Sequence, residues 1–122
     1  MKTNKIIYWT LTGLVTLVFL GSASGKLMGN AEAVKMAEGF GINAENYRNI
    51  GIVELISVIL FVWPRTGILG TILLSAYMGG AIATHVQHAQ PLMAPCIVLS
   101  IVLAVAAYRF PELRQRLLNQ QD

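Results

Sequence analysis

A single cysteine, Cys96, is the only thiol in the 122-residue chain, and one thiol can form neither an internal disulfide nor a dithiol relay of the C-x-x-C kind. Charged side chains make up 12% of the residues, against roughly 25% in a typical soluble domain. They are gathered mostly at the chain ends and in one connection. No dense basic patch on an exposed domain is present, which argues against nucleic-acid binding. The sequence holds no G-x-S-x-G, H-E-x-x-H, P-loop or dinucleotide fingerprint, so the usual carriers of hydrolase, zinc-protease, NTPase and nicotinamide chemistry are missing. Its apolar stretches also lack the period-2 alternation of a membrane β-barrel.

What is present in quantity is apolar surface: 55% of the residues are hydrophobic and the mean hydropathy is +0.60. Four apolar blocks run over about residues 6–24, 47–63, 67–84 and 92–110, each close to the roughly 20 helical residues that cross a hydrocarbon core. The third and fourth have almost no polar positions at helical period, which excludes a water-facing side. The expected fold is all-α: an integral membrane four-helix up-down bundle, one domain over residues 1–122, with a short extra helix in the first outer loop.

Punctuation supports this order of elements. Trp63–Gly67 and the Pro91/Pro95 region are short turns, which make sequential helices antiparallel neighbours. The long connection Leu27–Asn46 holds two capping signals. Asn30 would cap a helix over Ala31–Glu38 ending at Gly39, and Asn43 would cap the second spanning helix. Met28, Val34, Met36, Phe40 and Ile42 give this segment an apolar side, suited to a lid or to a connector resting on lipid. Gly21, Gly25 and Gly29, with Ala76, Gly80 and Thr84, form small-residue stripes expected to serve helix packing.

Lys2, Lys5, Arg65, Arg109, Arg114 and Arg116 fall on one side of a four-crossing chain, and Lys26, Lys35 and Arg48 on the other. The positive-inside bias then places both termini in the cytoplasm. The opening also fits a secretory signal, with a basic start, an apolar run over Ile6–Leu20 and small residues at 21–24. Cleavage there would leave three helices in the same orientation.

Glu54 is the residue that points to function, because an ionisable group inside an apolar span is costly and normally turns toward a partner or a cavity. It lies seven residues in from Tyr47, roughly 10 Å at about 1.5 Å per residue, which puts it level with Tyr77–Ala81 of the third block. Lys26, at the outer end of the first helix, directs its side chain back toward that helix's N-terminus and so into the membrane. The candidate polar site is Ser22, Lys26, Glu54, Ser57, Tyr77, Thr84 and His85, opening outward beneath the long connection. Two readings stand side by side: a structural ion pair that fixes helix register, and a site for a small amphipathic or quinone-like molecule. His85 and His88 could join Glu54 on a metal, but two histidines near a helix end are more often solvated, so no metal site is assigned.

Ser-Ala-Ser-Gly-Lys-Leu at 22–27, Asn-Ile-Gly-Ile-Val-Glu-Leu at 49–55, Trp-Pro-Arg-Thr-Gly at 63–67 and Gly-Gly-Ala-Ile-Ala-Thr-His at 79–85 together resemble the DoxX-like family of small bacterial membrane proteins. The resemblance implies a four-helix membrane bundle in which Lys26, Glu54, Thr84 and His85 match recurring polar positions. Namesakes include small subunits of a thiosulfate:quinone oxidoreductase and a membrane partner in an oxidative-stress complex. What this implies is a ligand-binding or accessory subunit of a membrane redox process with no activity of its own. Its expected surroundings are the lipid bilayer, a membrane or soluble oxidoreductase partner, and a second copy of itself in a homo-oligomer. With one cysteine, electron transfer would need a bound quinone or a partner's redox centre. The alternative is a quinone-linked oxidoreductase or proton-transfer enzyme that uses Glu54 and His85.

Overall fold

The computed structural model describes residues 2–119; the side chains of residues 1–3 lie outside that description, and with them the Lys2 cation counted above. The helices are α1 (Lys2–Met28), α2 (Ala31–Gly39), α3 (Ala44–Val62), α4 (Gly67–Gln87), α5 (Met93–Arg109) and α6 (Pro111–Leu118), with one 3-10 turn over Pro64–Thr66. Asn30 and Asn43 cap α2 and α3: their side-chain oxygens accept from the Ala33 and Asn46 amides at 2.8 Å, each satisfying a donor the helix leaves unpaired. Gly29 and Gly41, at φ +63° and +68°, end α1 and α2 in the left-handed region that a Cβ disfavours.

Among the described residues two segments, Asn4–Met28 and Pro64–Gln87, are long and apolar enough to cross a membrane. A third qualifies if α5 and α6, which meet at 113°, count as one broken span. The shortfall from the four expected crossings has a physical origin. α3 has 19 residues, among them Glu45, Arg48 and Glu54, and α5 has 17. At about 1.5 Å per residue they reach roughly 28 and 26 Å, just under a hydrocarbon core about 30 Å thick. The sequence reading treated the region after Arg109 as flanking charge and missed α6, although Pro111 at its first position and Glu112 in its first turn are start signals.

α1 packs on α3 and α5, α3 on α4, and α4 on α5; α2 touches α1 and α3. Each of the four long helices contributes to one core, formed by Val15 and Phe19, Val58 and Phe61, Leu74 and Met78, and Val102, Val105 and Ala106, with Phe110 at its end. Leu17, Ile59, Ile72 and Ile101 are exposed on the outer faces. So large an apolar exterior suits lipid and would be a liability in water.

The small-residue stripes do not pack as expected. A Cβ at Gly21, Gly29 or Gly80 would meet nothing within 4 Å, and at Gly25 only the Asn30 side chain at 3.8 Å. Close approach falls instead on Gly70, where a Cβ would sit 2.2 Å from the Phe61 amide nitrogen, and on Gly67, where it would strike the Phe110 ring. At Gly70, α3 and α4 therefore touch backbone to backbone.

Arg109 closes the same end. It is buried, donating through Nη1 to the Phe61 carbonyl at 2.7 Å and through Nη2 to the Val62 carbonyl at 3.1 Å. Its guanidinium lies 4.6–4.9 Å from the Tyr8, Phe61 and Phe110 ring centroids. A cation at a helix C-terminus satisfies orphan carbonyls and opposes the negative end of the dipole. The sequence reading counted Arg109 only as one of the cations that set the orientation; here it clasps α3 to α5. Arg114 likewise donates to the Ala107 and Tyr108 carbonyls of α5.

Two outcomes follow for thermal unfolding in mild detergent. Gly70→Ala should destabilise by about 1–3 kcal/mol through the overpacking of an immobile backbone, whereas Gly80→Ala should leave the midpoint unchanged or raise it. Arg109→Met should cost about 2 kcal/mol or more, because two carbonyls lose their donors. Equal midpoints for Gly70→Ala and Gly80→Ala would contradict the packing described.

Candidate functional site

One stripe of α3 builds the floor of the site. Tyr47, Gly51, Glu54, Val58 and Phe61 recur at steps of four and three and are all buried, so they face inward along one side of the helix. A Cβ on Gly51 would stand 2.8 Å from the Lys26 Cβ and 3.4 Å from the Ala23 carbonyl. Its absence lets α1 lie close enough for Lys26 to reach the carboxylate one turn further on.

Lys26 Nζ donates to Glu54 Oε1 at 3.1 Å, and the two side chains are 10% and 1% exposed. The same ammonium donates to Ser22 Oγ, and Ser22 Oγ in turn donates to Glu54 Oε1 at 3.2 Å. Nζ lies 5.3 Å from the Tyr47 ring centroid and 5.7 Å from that of Tyr77, so two π-faces take the place of solvent around the cation. Tyr77 is close enough for its hydroxyl to interact with both Glu54 and Ser22. The cluster is a neutral pair with polar neighbours, the form in which burial of charge is tolerable.

The pair opens into a cavity of about 450 Å³. Ser22, Lys26, Tyr47, Glu54, Tyr77, Thr84 and His85 supply its polar groups. Phe19 of α1, Met78 and Ala81 of α4, and Pro95 and Val98 of α5 form apolar walls, and Met36, Phe40 and Ile42 approach from α2 and the segment after it. A second, more open depression of about 510 Å³ shares Ile42, Ile50 and Tyr77 and is otherwise lined by Gly41, Asn43, Asn46, Asn49 and Val53. Only the first contains the charge pair.

Six of the seven sequence candidates, Ser22, Lys26, Glu54, Tyr77, Thr84 and His85, line that one cavity. Ser57 does not: it is buried, and its hydroxyl donates to the Val53 carbonyl at 2.7 Å. Thr84 donates to the Gly80 carbonyl at 2.8 Å. His85 Nδ1 lies 2.6 Å from the Ala81 carbonyl, so that nitrogen carries the proton and donates. The His85 ring rests against Phe40, with centroids 4.7 Å apart. His88 bonds the Thr84 carbonyl through Nδ1 at 2.9 Å, and among the described residues no three His, Cys, Asp or Glu side chains form a group that could hold a metal ion. Sequence reasoning missed Tyr47 and Gly51 as site residues, although the four-three spacing that ends at Glu54 marks both.

The family model described as the DoxX-like family matches residues 10–108, a stretch that includes every residue of the charge cluster and the cavity. No curated protein and no solved structure matches the chain.

The ion pair should behave as one unit. Lys26→Met strands a buried carboxylate and should lower stability by about 3–5 kcal/mol, and most of that loss should return in the double variant Lys26→Met with Glu54→Leu, where no charge remains. Thermal unfolding in detergent reads both. Additive losses in the double variant would deny the coupling.

Proposed function

Because this chain belongs to the DoxX-like family of membrane proteins, we propose that it is a small ligand-binding or accessory subunit of a membrane redox process, with its ligand held at Lys26 and Glu54. One observation carries this reading: the buried pair borders a largely apolar cavity of about 450 Å³. A charge pair that served only to lock helix register would be enclosed by packing side chains. Lys26 has three N–H donors, of which two are engaged by Ser22 and Glu54. The third is free to meet a ligand oxygen.

A quinone-like molecule fits such a site: a ring oxygen would accept from Lys26, and its apolar body would lie among Phe19, Met78 and Val98. A bound quinone would supply the electron-carrying chemistry that the side chains lack, since Cys96 is a single exposed thiol. A membrane or soluble oxidoreductase partner would then deliver or remove the electrons. The competing reading, an enzyme that moves protons between Glu54 and His85, draws on their placement in one cavity. Against it, Glu54 is engaged by Lys26 and Ser22 and His85 by the Ala81 carbonyl, and among the described residues no hydrogen bond joins the two.

The same reading takes α1, α3, α4 and α5 as four crossings of the bacterial inner membrane, an up-down four-helix bundle in one domain. Its support is the closed ring of contacts among these helices and the inward turn of Glu54, the only charge in the middle of α3. With Lys26 and Arg109 both turned inward, Lys5, Arg65, Arg114 and Arg116 remain at one end, against Lys35 and Arg48 at the other. That bias keeps both termini cytoplasmic.

Native mass spectrometry of protein released from mild detergent tests the proposal. The wild type should carry a small-molecule adduct, and Glu54→Gln should lose it by about tenfold or more. Wild-type protein that shows neither adduct nor co-purifying partner, or an adduct indifferent to Glu54, would refute it.

A further inference from the structure

Among the described residues, Lys26 and Glu54 are the only Lys, Arg, Asp or Glu side chains lining the cavity, so with His85 neutral its polar end carries no net charge. Both are at least nine-tenths buried, and the ammonium is flanked by the Tyr47 and Tyr77 rings. We propose, resting on the ligand-binding reading above, that this site is selective for amphiphiles with a neutral oxygen head, such as an alcohol, phenol or ketone, and rejects fatty acids and alkylamines. In this arrangement Glu54 determines specificity as the built-in counter-ion of Lys26.

The argument is electrostatic. A carboxylate head approaching Lys26 finds Glu54 Oε1 already 3.1 Å from the ammonium, and it would add a second, uncompensated anion to a site with little water to screen it. An ammonium head meets the same objection from Lys26. A neutral oxygen accepts the one uncommitted Lys26 N–H without altering the charge balance, while its apolar body displaces no ion pair. The walls at Phe19, Met78 and Val98 ask only for an apolar body. Discrimination between ligands of equal tail therefore falls on the charge of the head.

This inverts in a predictable way. Glu54→Gln keeps the shape of the site but leaves Lys26 without its anion, so a carboxylate head becomes the missing partner. The test uses three aliphatic diazirine probes of the same chain length, ending in an alcohol, a carboxylate or a primary amine, added to the full chain in phosphatidylcholine nanodiscs at neutral pH. Labelled positions are mapped by tandem mass spectrometry. Labelling at cavity residues is divided by labelling at the exposed residues Leu17 and Ile72, which corrects for partition into lipid.

In the wild type the alcohol should label the cavity about tenfold more than either charged probe, and in Glu54→Gln the carboxylate should equal or exceed the alcohol. The double variant Lys26→Gln with Glu54→Gln, polar but uncharged, should restore the preference for the alcohol, an outcome a collapsed fold would not give. Equal labelling of the wild-type cavity by all three heads, or an unchanged preference in Glu54→Gln, overturns the neutral-head selectivity and leaves the ligand-binding reading intact. No cavity labelling by any probe overturns both.

Discussion

A carboxylate within an apolar helix must be neutralised where it stands, and most of one end of this molecule follows from how that is done at Glu54. Its partner comes from another helix, so α1 must approach α3 in the one register that brings Lys26 over Glu54. That approach needs a position without a Cβ, and Gly51 provides it. It also needs groups to replace the hydration of the ammonium, which Ser22, Tyr47 and Tyr77 supply from three helices. In a surrounding without a hydrophobic force between helices, such a cluster helps to hold α1, α3 and α4 together.

The opposite end buries a charge by other means. Arg109 has no carboxylate partner among the described residues; it is held by the last carbonyls of α3 and by three aromatic rings. Around it the packing is close, with Gly70 against the Phe61 backbone and Gly67 against the Phe110 ring. At the Glu54 end, Gly80 borders the cavity and has nothing nearby. The α3–α4 contact is closed at the Arg109 end and parted at the Glu54 end, where α1 and α3 still meet closely at Gly51. A cavity can persist in a chain this small because the closed end fixes the helix axes and the charge cluster limits how far the parted ends can come together.

That asymmetry also explains what the sequence made legible. Capping at Asn30 and Asn43 is local chemistry and can be read from single residues. The convergence of Lys26, Glu54 and Tyr77 follows from depth alone, because rise per residue and the backward tilt of helical side chains fix their level. The role of the glycines was not legible, since a small residue at spacing four looks the same whether a neighbouring helix touches it or a cavity lies beside it. Gly70 was obscured for the same reason, whereas Gly67, closing the Trp63–Gly67 turn, carries the tight approach that a glycine there allows, against the Phe110 ring. Arg109 was misread because a cation at the end of a span is ordinarily solvated, and only the tertiary placement of Phe61 and Val62 reveals that it serves as another helix's cap. α6 was overlooked as a helix because its charges were counted only as topology signals.

α2 connects the charge cluster to the outside. Ala33 and Ala37 on its inner side are buried with Tyr47, and the Tyr47 ring is one of the two that face the Lys26 ammonium. One side chain therefore carries the contact between α2 and the ion pair. Gly29 and Gly41, both at positive φ, bracket α2 with backbone of unusual freedom. Phe40, just past the end of α2, rests on His85 of α4. Displacing α2 would uncover Tyr47 and bring water toward the ammonium, which weakens the Coulombic hold of Glu54 on Lys26 as the local dielectric rises. Access to the cavity and the strength of the charge pair at its base are thus physically linked through the packing of α2 on Tyr47.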